Sequence, residues 1–565
     1  MKNNQVSNEI PHENKENVIY SVNKRVKSLL IAICIAIILT LVTLALAAAT
    51  LGVVVNRLKS TTTDNLSLGS QYAESIEISD VMMHLNELQN IATNANGTRA
   101  INTLGFNRTL DYINNYLSSH TNFKVTTDHL YLRNFVIGSN PILITFINGV
   151  TVNRIFSTNL SASEFSFLQY TRSANFPTCI PINVIPNLGC SDNDWLAAKL
   201  SPNDRVALVK RGDSNFAAKA AFASKYNVTA LLLYKDGMNN ELPGLFLSYA
   251  LGQELADAAQ NSSNNVSVRI TISVADESKY PVGNMCADTP TGDVTQTIVV
   301  GTHSDGARAG PGINDNGSGS AASLGLAVAL ARLFQMSTYE KYRYRVRFCW
   351  WGAEEEGLLG SNYHVKQAKL STVVGERLDD YLIIFNYDML ASPNYMFGVY
   401  DGRTVTMNTP SKAIPGTNKM TTVFREWFIR QNLPWTYTEF AGGSDYAPFL
   451  AEGIAAGALF SGADEIKSIE ERNYYDKMLG QGMGGIAGAI HDPCYHQACD
   501  SIQNVNIFAY EKMIQAAAYA LEYVARQDDL KGWLYPPDEI QRLNIRQKQR
   551  PEYKSINEYF GLPYF

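Results

Sequence analysis

Three kinds of hydrophobic pattern follow one another along the chain. From Ser28 to Val55 the residues carry no charge, and the run LLIAICIAIILTLVTLALAAATLGVVV exceeds the roughly 20 apolar residues that cross a bilayer. It is also longer than the core of about 7 to 15 residues in a cleaved signal, and a polar segment precedes it. The expectation is an uncleaved transmembrane signal-anchor at 28–55, a cytosolic tail at 1–27 and a Ser/Thr/Asn-rich stalk at 56–75. The alternative is a secreted protein cleaved near Ala45-x-Ala47. Beyond the stalk, ISDVMMHLNELQNIA and GFNRTLDYINNYLSS place apolar residues at helical spacing, and FKVTTDHLYLRNF reads as a strand, so 76–137 opens an α/β domain. Between 138 and 283 the pattern changes to short β-rich runs such as PILITFIN, RVALVKRGD, ALLLYKDG and VSVRITISV. From 284 to 527 buried strands alternate with helices again. TQTIVV leads into a Gly-rich turn and then NGSGSAASLGLAVALARLF, a small-residue helix that predicts close packing. The predicted fold class is α/β: an open, mostly parallel sheet with helices on both faces, interrupted by a β-rich insertion. Residues 528–565, with four prolines and many aromatics, show no period and are expected as a C-terminal extension.

Charge adds an exclusion. A net charge of -6 over 565 residues leaves no electrostatic footprint for nucleic acid. The basic residues flanking the span, Lys24, Arg25 and Lys27 before it against Arg57 and Lys59 after it, orient it only slightly. Glycosylation triplets are more decisive: they begin at Asn65, Asn96, Asn107, Asn159, Asn227, Asn261, Asn265 and Asn316, all after the span, which places the catalytic part in a lumen or outside the cell. Asn316 adjoins the candidate site and is expected to stay unmodified. Cysteine usage suits the same oxidising compartment. Cys494 with Cys499 can staple one loop and Cys179 with Cys190 another, whereas Cys349, inside the apolar strand VRFCWW, reads as a buried free thiol.

Several predicted strands end in acid or imidazole. VVGTH presents His303 and Asp305, with Asp315 on the turn that follows; WWGAEEEG presents Glu354, Glu355 and Glu356; NYDML presents Asp388; and HDPCYHQACDS offers His491, Asp492, Tyr495, His496 and Asp500. Ligands bind at the carboxyl ends of strands in open α/β sheets. Imidazole and carboxylate converging there suit a hydrolytic zinc site, because Zn²⁺ accepts both and leaves a position for water.

The segments HSD, GINDNGSG, WWGAEEEGLLGS, NYDML, GGSDYAPF and DPCYHQACD, together spanning roughly 80–525, resemble the successive motifs of the M28 family of zinc metallopeptidases, with the zinc exopeptidase fold. The likeness is to its aminopeptidase Y-like branch. Within the insertion, Lys210, Arg211, Gly212, Phe216 and Lys219 resemble a protease-associated (PA) domain, a lid or interaction module. The resemblance implies two Zn²⁺ per chain, with His303 and Asp388 on one ion, Glu355 and His496 on the other, and Asp315 bridging. It further implies Glu354 as general base, Tyr495 as support for the oxyanion, and Asp388 with the Met389 main chain near the substrate's free amine. Asp305, two residues from His303, is placed to accept the other imidazole N–H. Gly443 stands where many secreted members carry Arg; Ser444 and Asp445 match the family loop, with loop structure and substrate contact equally weighted. His364, His491 and Glu356 are expected not to be ligands.

The expected function is a membrane-anchored aminopeptidase acting on peptides with a free N-terminus, with its oligomeric state left open. A glutamate carboxypeptidase-like enzyme is the first alternative, but too little chain follows His496 for that branch's helical dimerisation domain. A glutaminyl cyclase is disfavoured by the insertion, and a non-catalytic receptor on the same scaffold by the presence of every candidate ligand.

Overall fold

A computed structural model describes residues 70–549, apart from 158–161, 169–170, 190, 199–204, 211–215, 235–242, 277 and 406–408. The expected tail, transmembrane span and most of the stalk lie outside the described residues, as do Arg211, Gly212 and the side chain of Phe216. The stalk boundary moves: Ser70–Glu74 is already helix, with Tyr72 fully buried. The Tyr72 amide donates to Glu522 Oε2 (2.9 Å) and its hydroxyl to the Leu326 carbonyl (2.5 Å). One helical turn is too short to show a period, which is why it read as stalk.

The catalytic sheet has eight strands, in the spatial order Lys124–Arg133, Lys279–Asp288, Tyr344–Trp351, Asp293–His303, Tyr381–Tyr387, Ala455–Phe460, Gly398–Asp401 and Thr436–Glu439. The four middle strands are parallel. Lys279–Asp288 and Gly398–Asp401 run against them, so the sheet is mixed, with its parallel centre where the chemistry sits. Both Trp350 and Trp351 are fully buried, and they point to opposite faces. The Trp350 indole donates to the Ser320 carbonyl of helix Gly319–Gln335, whereas Trp351 packs with Leu358, Val365 and Phe449. Such two-sided burial is what a near-continuous apolar strand predicts. Helix Gly319–Gln335, small and apolar on every side, is correspondingly interior.

The insertion forms its own nine-stranded sheet between residues 136 and 276. Its middle strands, Ile180–Val184, Val206–Lys210, Ala230–Tyr234 and Gly244–Leu247, are parallel, with cores on both faces. It is therefore more α/β than its short strands suggested. The extension also departs from expectation. Leu530–Leu534 and Pro537–Gln549 are helical, and the Tyr535 hydroxyl bridges the Leu382 carbonyl (2.6 Å) and the Ala455 amide (2.9 Å) of the catalytic sheet. Leu530 and Leu534, one helical turn apart and fully buried, join the Tyr535 hydroxyl in docking it.

Cysteine pairing is half as expected. Cys494–Cys499 is formed. Cys179 carries a free, exposed thiol, and Cys190 lies outside the described residues. The reading of Cys349 as a free thiol is overturned: it is bonded to Cys286, its in-register partner on the antiparallel neighbouring strand. Two cysteines 63 residues apart reveal no such register until the strands pair. Replacing both by Ala is expected to lower the unfolding free energy by about 2–4 kcal/mol, read from urea midpoints. An unchanged midpoint would mean that the bridge contributes nothing.

Candidate active site

Four of the six chemistry-bearing side chains lie at or just beyond the carboxyl end of a middle strand. His303 closes Asp293–His303, Glu354 and Glu355 follow Tyr344–Trp351, and Asp388 follows Tyr381–Tyr387. Asp315 comes from the Gly-rich turn and His496 from the loop closed by Cys494–Cys499. The fold brings these six together as two groups whose potential ligand atoms lie within 4.8 Å of one another: His303, Glu354 and Asp388, and Asp315, Glu355 and His496. Asp315 faces both groups. Its Oδ1 is 3.4 Å from His303 Nε2, and its Oδ2 is 3.0 Å from His496 Nε2. His303 Nε2 is also 3.3 Å from Asp388 Oδ1, and His496 Nε2 is 3.1 Å from Glu355 Oε2.

The electrostatics reflect crowding. Burial raises Glu354 well above the ordinary carboxylate range; His303 opposes the shift, and the charges of Asp388, Asp445 and Glu355 reinforce it. Burial, reinforced by Asp315, pushes Glu355 up to about 7. Burial lowers His496, but its bonds to Asp315 and Glu355 outweigh that and carry it to about 11. Asp315, despite its burial, is held below the usual range by the two imidazoles. These residues fit a pair of divalent cations. The donor set is imidazole and carboxylate, Glu355 Oε1 is buried without a hydrogen-bond partner, and positive charge relieves the repulsion among the carboxylates.

The surrounding residues divide between agreement and correction. Asp305, fully buried, faces His303 with Oδ1 3.6 Å from Nδ1, and its oxygens also accept the Glu354 amide (3.2 Å) and the Glu355 amide (3.4 Å). One carboxylate thereby lies against the imidazole and holds the main chain of the two glutamates. The Met389 amide donates to Asn316 Oδ1 (3.2 Å), and its carbonyl accepts from the Ser461 amide (2.8 Å) and hydroxyl (2.5 Å). Both lone pairs of that carbonyl are thus engaged, which leaves Asp388 as the candidate for an incoming amine. Asn316 is fully buried, with its amide committed to Thr302, Tyr387, Gly319 and Met389, which leaves its Nδ2 inaccessible to glycosylation in the folded protein. Asn96, Asn107, Asn227, Asn261 and Asn265 are exposed, whereas Asn65 and Asn159 lie outside the described residues. Tyr495 stacks on His496 with ring centroids 3.9 Å apart, and both line the cleft. His364 is bonded to the Tyr381 hydroxyl (3.0 Å), His491 to the Glu465 carbonyl (2.8 Å), and Glu356 lies near Arg308 (3.4 Å); none belongs to either ligand group.

Sequence reasoning gave too little weight to Ser444 and passed over Arg99. The Ser444 hydroxyl donates to Asp388 Oδ2 (2.6 Å) and accepts from Asn386 Nδ2 (2.8 Å), so it orients the proposed ligand. Arg99 lies fully buried beneath the Asp315 turn. Asp500 accepts the amides of Asn314 (2.8 Å) and Asp315 (3.0 Å). A Ser beside an Asp, or an Arg far upstream, carries no local signature of such roles.

Parallel strands that deliver paired imidazole and carboxylate groups to one cleft define the class: a hydrolase of α/β architecture whose site suits divalent metal. A model described as Peptidase family M28 matches residues 284–521, and one described as PA domain matches 177–255. Probable leucine aminopeptidase 2 of Aspergillus fumigatus is 34% identical over 376 residues, covering 64% of this chain and 69% of that protein. Aminopeptidase Y of Saccharomyces cerevisiae is 29% identical over 488 residues, covering 81% and 79% respectively. The aminopeptidase from Aneurinibacillus sp. strain AM-1 shares the fold, with a TM-score of 0.56 at 19% identity over 80% of this chain and 95% of that one. The chain belongs to peptidase family M28, in its branch of aminopeptidases with an inserted PA domain.

Proposed function

We propose that this enzyme is a co-catalytic two-zinc aminopeptidase that removes the N-terminal residue of peptides, anchored to a membrane through residues 28–55 with its catalytic part lumenal or extracellular. The observation that carries the reading is Asp315, with one oxygen toward each imidazole-containing group. In this reading His303 and Asp388 hold one ion, Glu355 and His496 the other, and Asp315 lies between them. The ions supply acidification of a water and polarisation of the scissile carbonyl. Glu354 accepts the proton from the attacking water and returns it to the leaving amine. The Tyr495 hydroxyl donates to the negative charge that develops on the carbonyl oxygen. Asp388, oriented by Ser444, faces the substrate's ammonium group. The names of the relatives, leucine aminopeptidase 2 and aminopeptidase Y, support action at the N-terminus, and the exposed glycosylation sites support the topology.

The full chain, purified in detergent, is expected to hydrolyse aminoacyl anilides and to leave their N-acetylated forms uncut. Activity should vanish with a chelator and return with Zn²⁺. Equal cleavage of the acetylated forms would sink the aminopeptidase reading.

A further inference from the structure

Arg99 lies in the segment before the inserted domain, and its side chain is spent entirely on main chain. Nε donates to the Pro311 carbonyl (2.9 Å), Nη1 to the Ser304 carbonyl (2.7 Å) and Nη2 to the Gly312 carbonyl. Ser304 follows His303, and Pro311 and Gly312 precede Asp315, so one rigid fork joins the two stretches that bear these residues. Glycine serves the turn itself: Gly312 is left-handed, with φ +62, and a Cβ there would lie 2.6 Å from the Asp315 carbonyl oxygen and 3.0 Å from Gly306 Cα. Asp500 takes the turn's amides, so the carbonyls of this turn are held by Arg99 and its N–H groups by Asp500. A buried cation is costly unless fully hydrogen-bonded. A planar guanidinium can satisfy three carbonyls on two segments at once; a lysine ammonium cannot span them.

We propose that Arg99 is a positioning residue for the paired metal site, setting the His303 and Asp315 main chains at the separation that lets both ions bind together. This rests on the two-zinc reading above. Nothing of Arg99 touches substrate; it acts through the turn.

The test compares the full-length wild type, Arg99→Gln and Arg99→Lys, each stripped of metal and shown to be folded by circular dichroism. Zinc stoichiometry is measured by mass spectrometry, and each dissociation constant by competition with a chromophoric chelator. The wild type should take up two ions. Both variants should bind at least one ion about 10–100-fold more weakly, the usual consequence of losing a partner that orients a ligand. They should lose kcat more than they raise KM. Lysine should not rescue, because preserving the charge does not preserve the fork. Folded variants whose zinc constants lie within about twofold of wild type would overturn the proposal, as would full rescue by lysine. A wild type binding one ion or none would instead overturn the parent reading. If neither Arg99 variant folds, Thr98→Val decides. Thr98 Oγ1 bonds to the Ala307 carbonyl (3.4 Å) and the Ala100 amide (3.1 Å), so its loss loosens the loop beneath Arg99 without exposing a buried charge. Several-fold weaker zinc binding supports the proposal, and unchanged binding overturns it.

Discussion

Glu354→Gln is expected to lower kcat by about 10²–10⁴-fold, the range for a general base, while KM and bound zinc stay close to wild type. The change keeps the shape of the side chain and removes only its capacity to accept a proton. Its main chain is held by Asp305, whose Oδ1 accepts the Glu354 amide, and that contact survives the substitution. Burial among Asp388, Asp445 and Glu355 lifts the carboxyl well above its ordinary range. The neighbouring Glu355 differs in placement, with Oε2 3.1 Å from His496 Nε2; its replacement should be read in zinc content as well as rate. A kcat for Glu354→Gln within threefold of wild type, with metal retained, would remove Glu354 from the role of base.

Asp315→Asn is expected to abolish paired metal binding, an effect larger than the roughly 10–100-fold loss that follows removal of an outer partner. The aspartate presents an oxygen to each imidazole group, whereas an amide presents one oxygen and one N–H₂. The donor therefore faces one ion position wherever the amide is turned. Asp500, which accepts the amides of residues 314 and 315, keeps the turn folded, so the variant should remain soluble and compact. Zinc analysis should return at most one tightly held ion per chain, and aminoacyl anilide hydrolysis should fall below detection. Two ions held at wild-type affinity would show that Asp315 is not the bridge.

Much of the site was legible because its chemistry is local in the chain. His303, Glu354, Glu355 and Asp388 each follow an apolar strand, and the end of a strand buried on both faces is a position that sequence periodicity reveals. Arg99 and Ser444 were not legible: an arginine some two hundred residues from its carbonyls, and a hydroxyl beside an aspartate, look like ordinary loop polarity. Asp305 was legible as a neighbour of His303, two residues away and 3.6 Å from its Nδ1, but its bonds to the Glu354 and Glu355 amides join segments some fifty residues apart and leave no mark in the sequence.

The chain's sequence by itself determined the alternation of strands and helices, the buried helix after the Gly-rich turn, the interruption by a second domain and the six residues that converge. The elements follow from side-chain periodicity, and four of the six residues from residue type at a strand end; Asp315 and His496, on a turn and a loop, follow from the resemblance of their motifs. Tertiary structure alone decided the antiparallel strand that pairs Cys286 with Cys349, the short helices that dock the start and end of the folded chain, and the partners of Asp305 and Arg99. Those depend on register and on contacts between distant segments, and no local pattern encodes which main-chain groups will be left free for a side chain to satisfy.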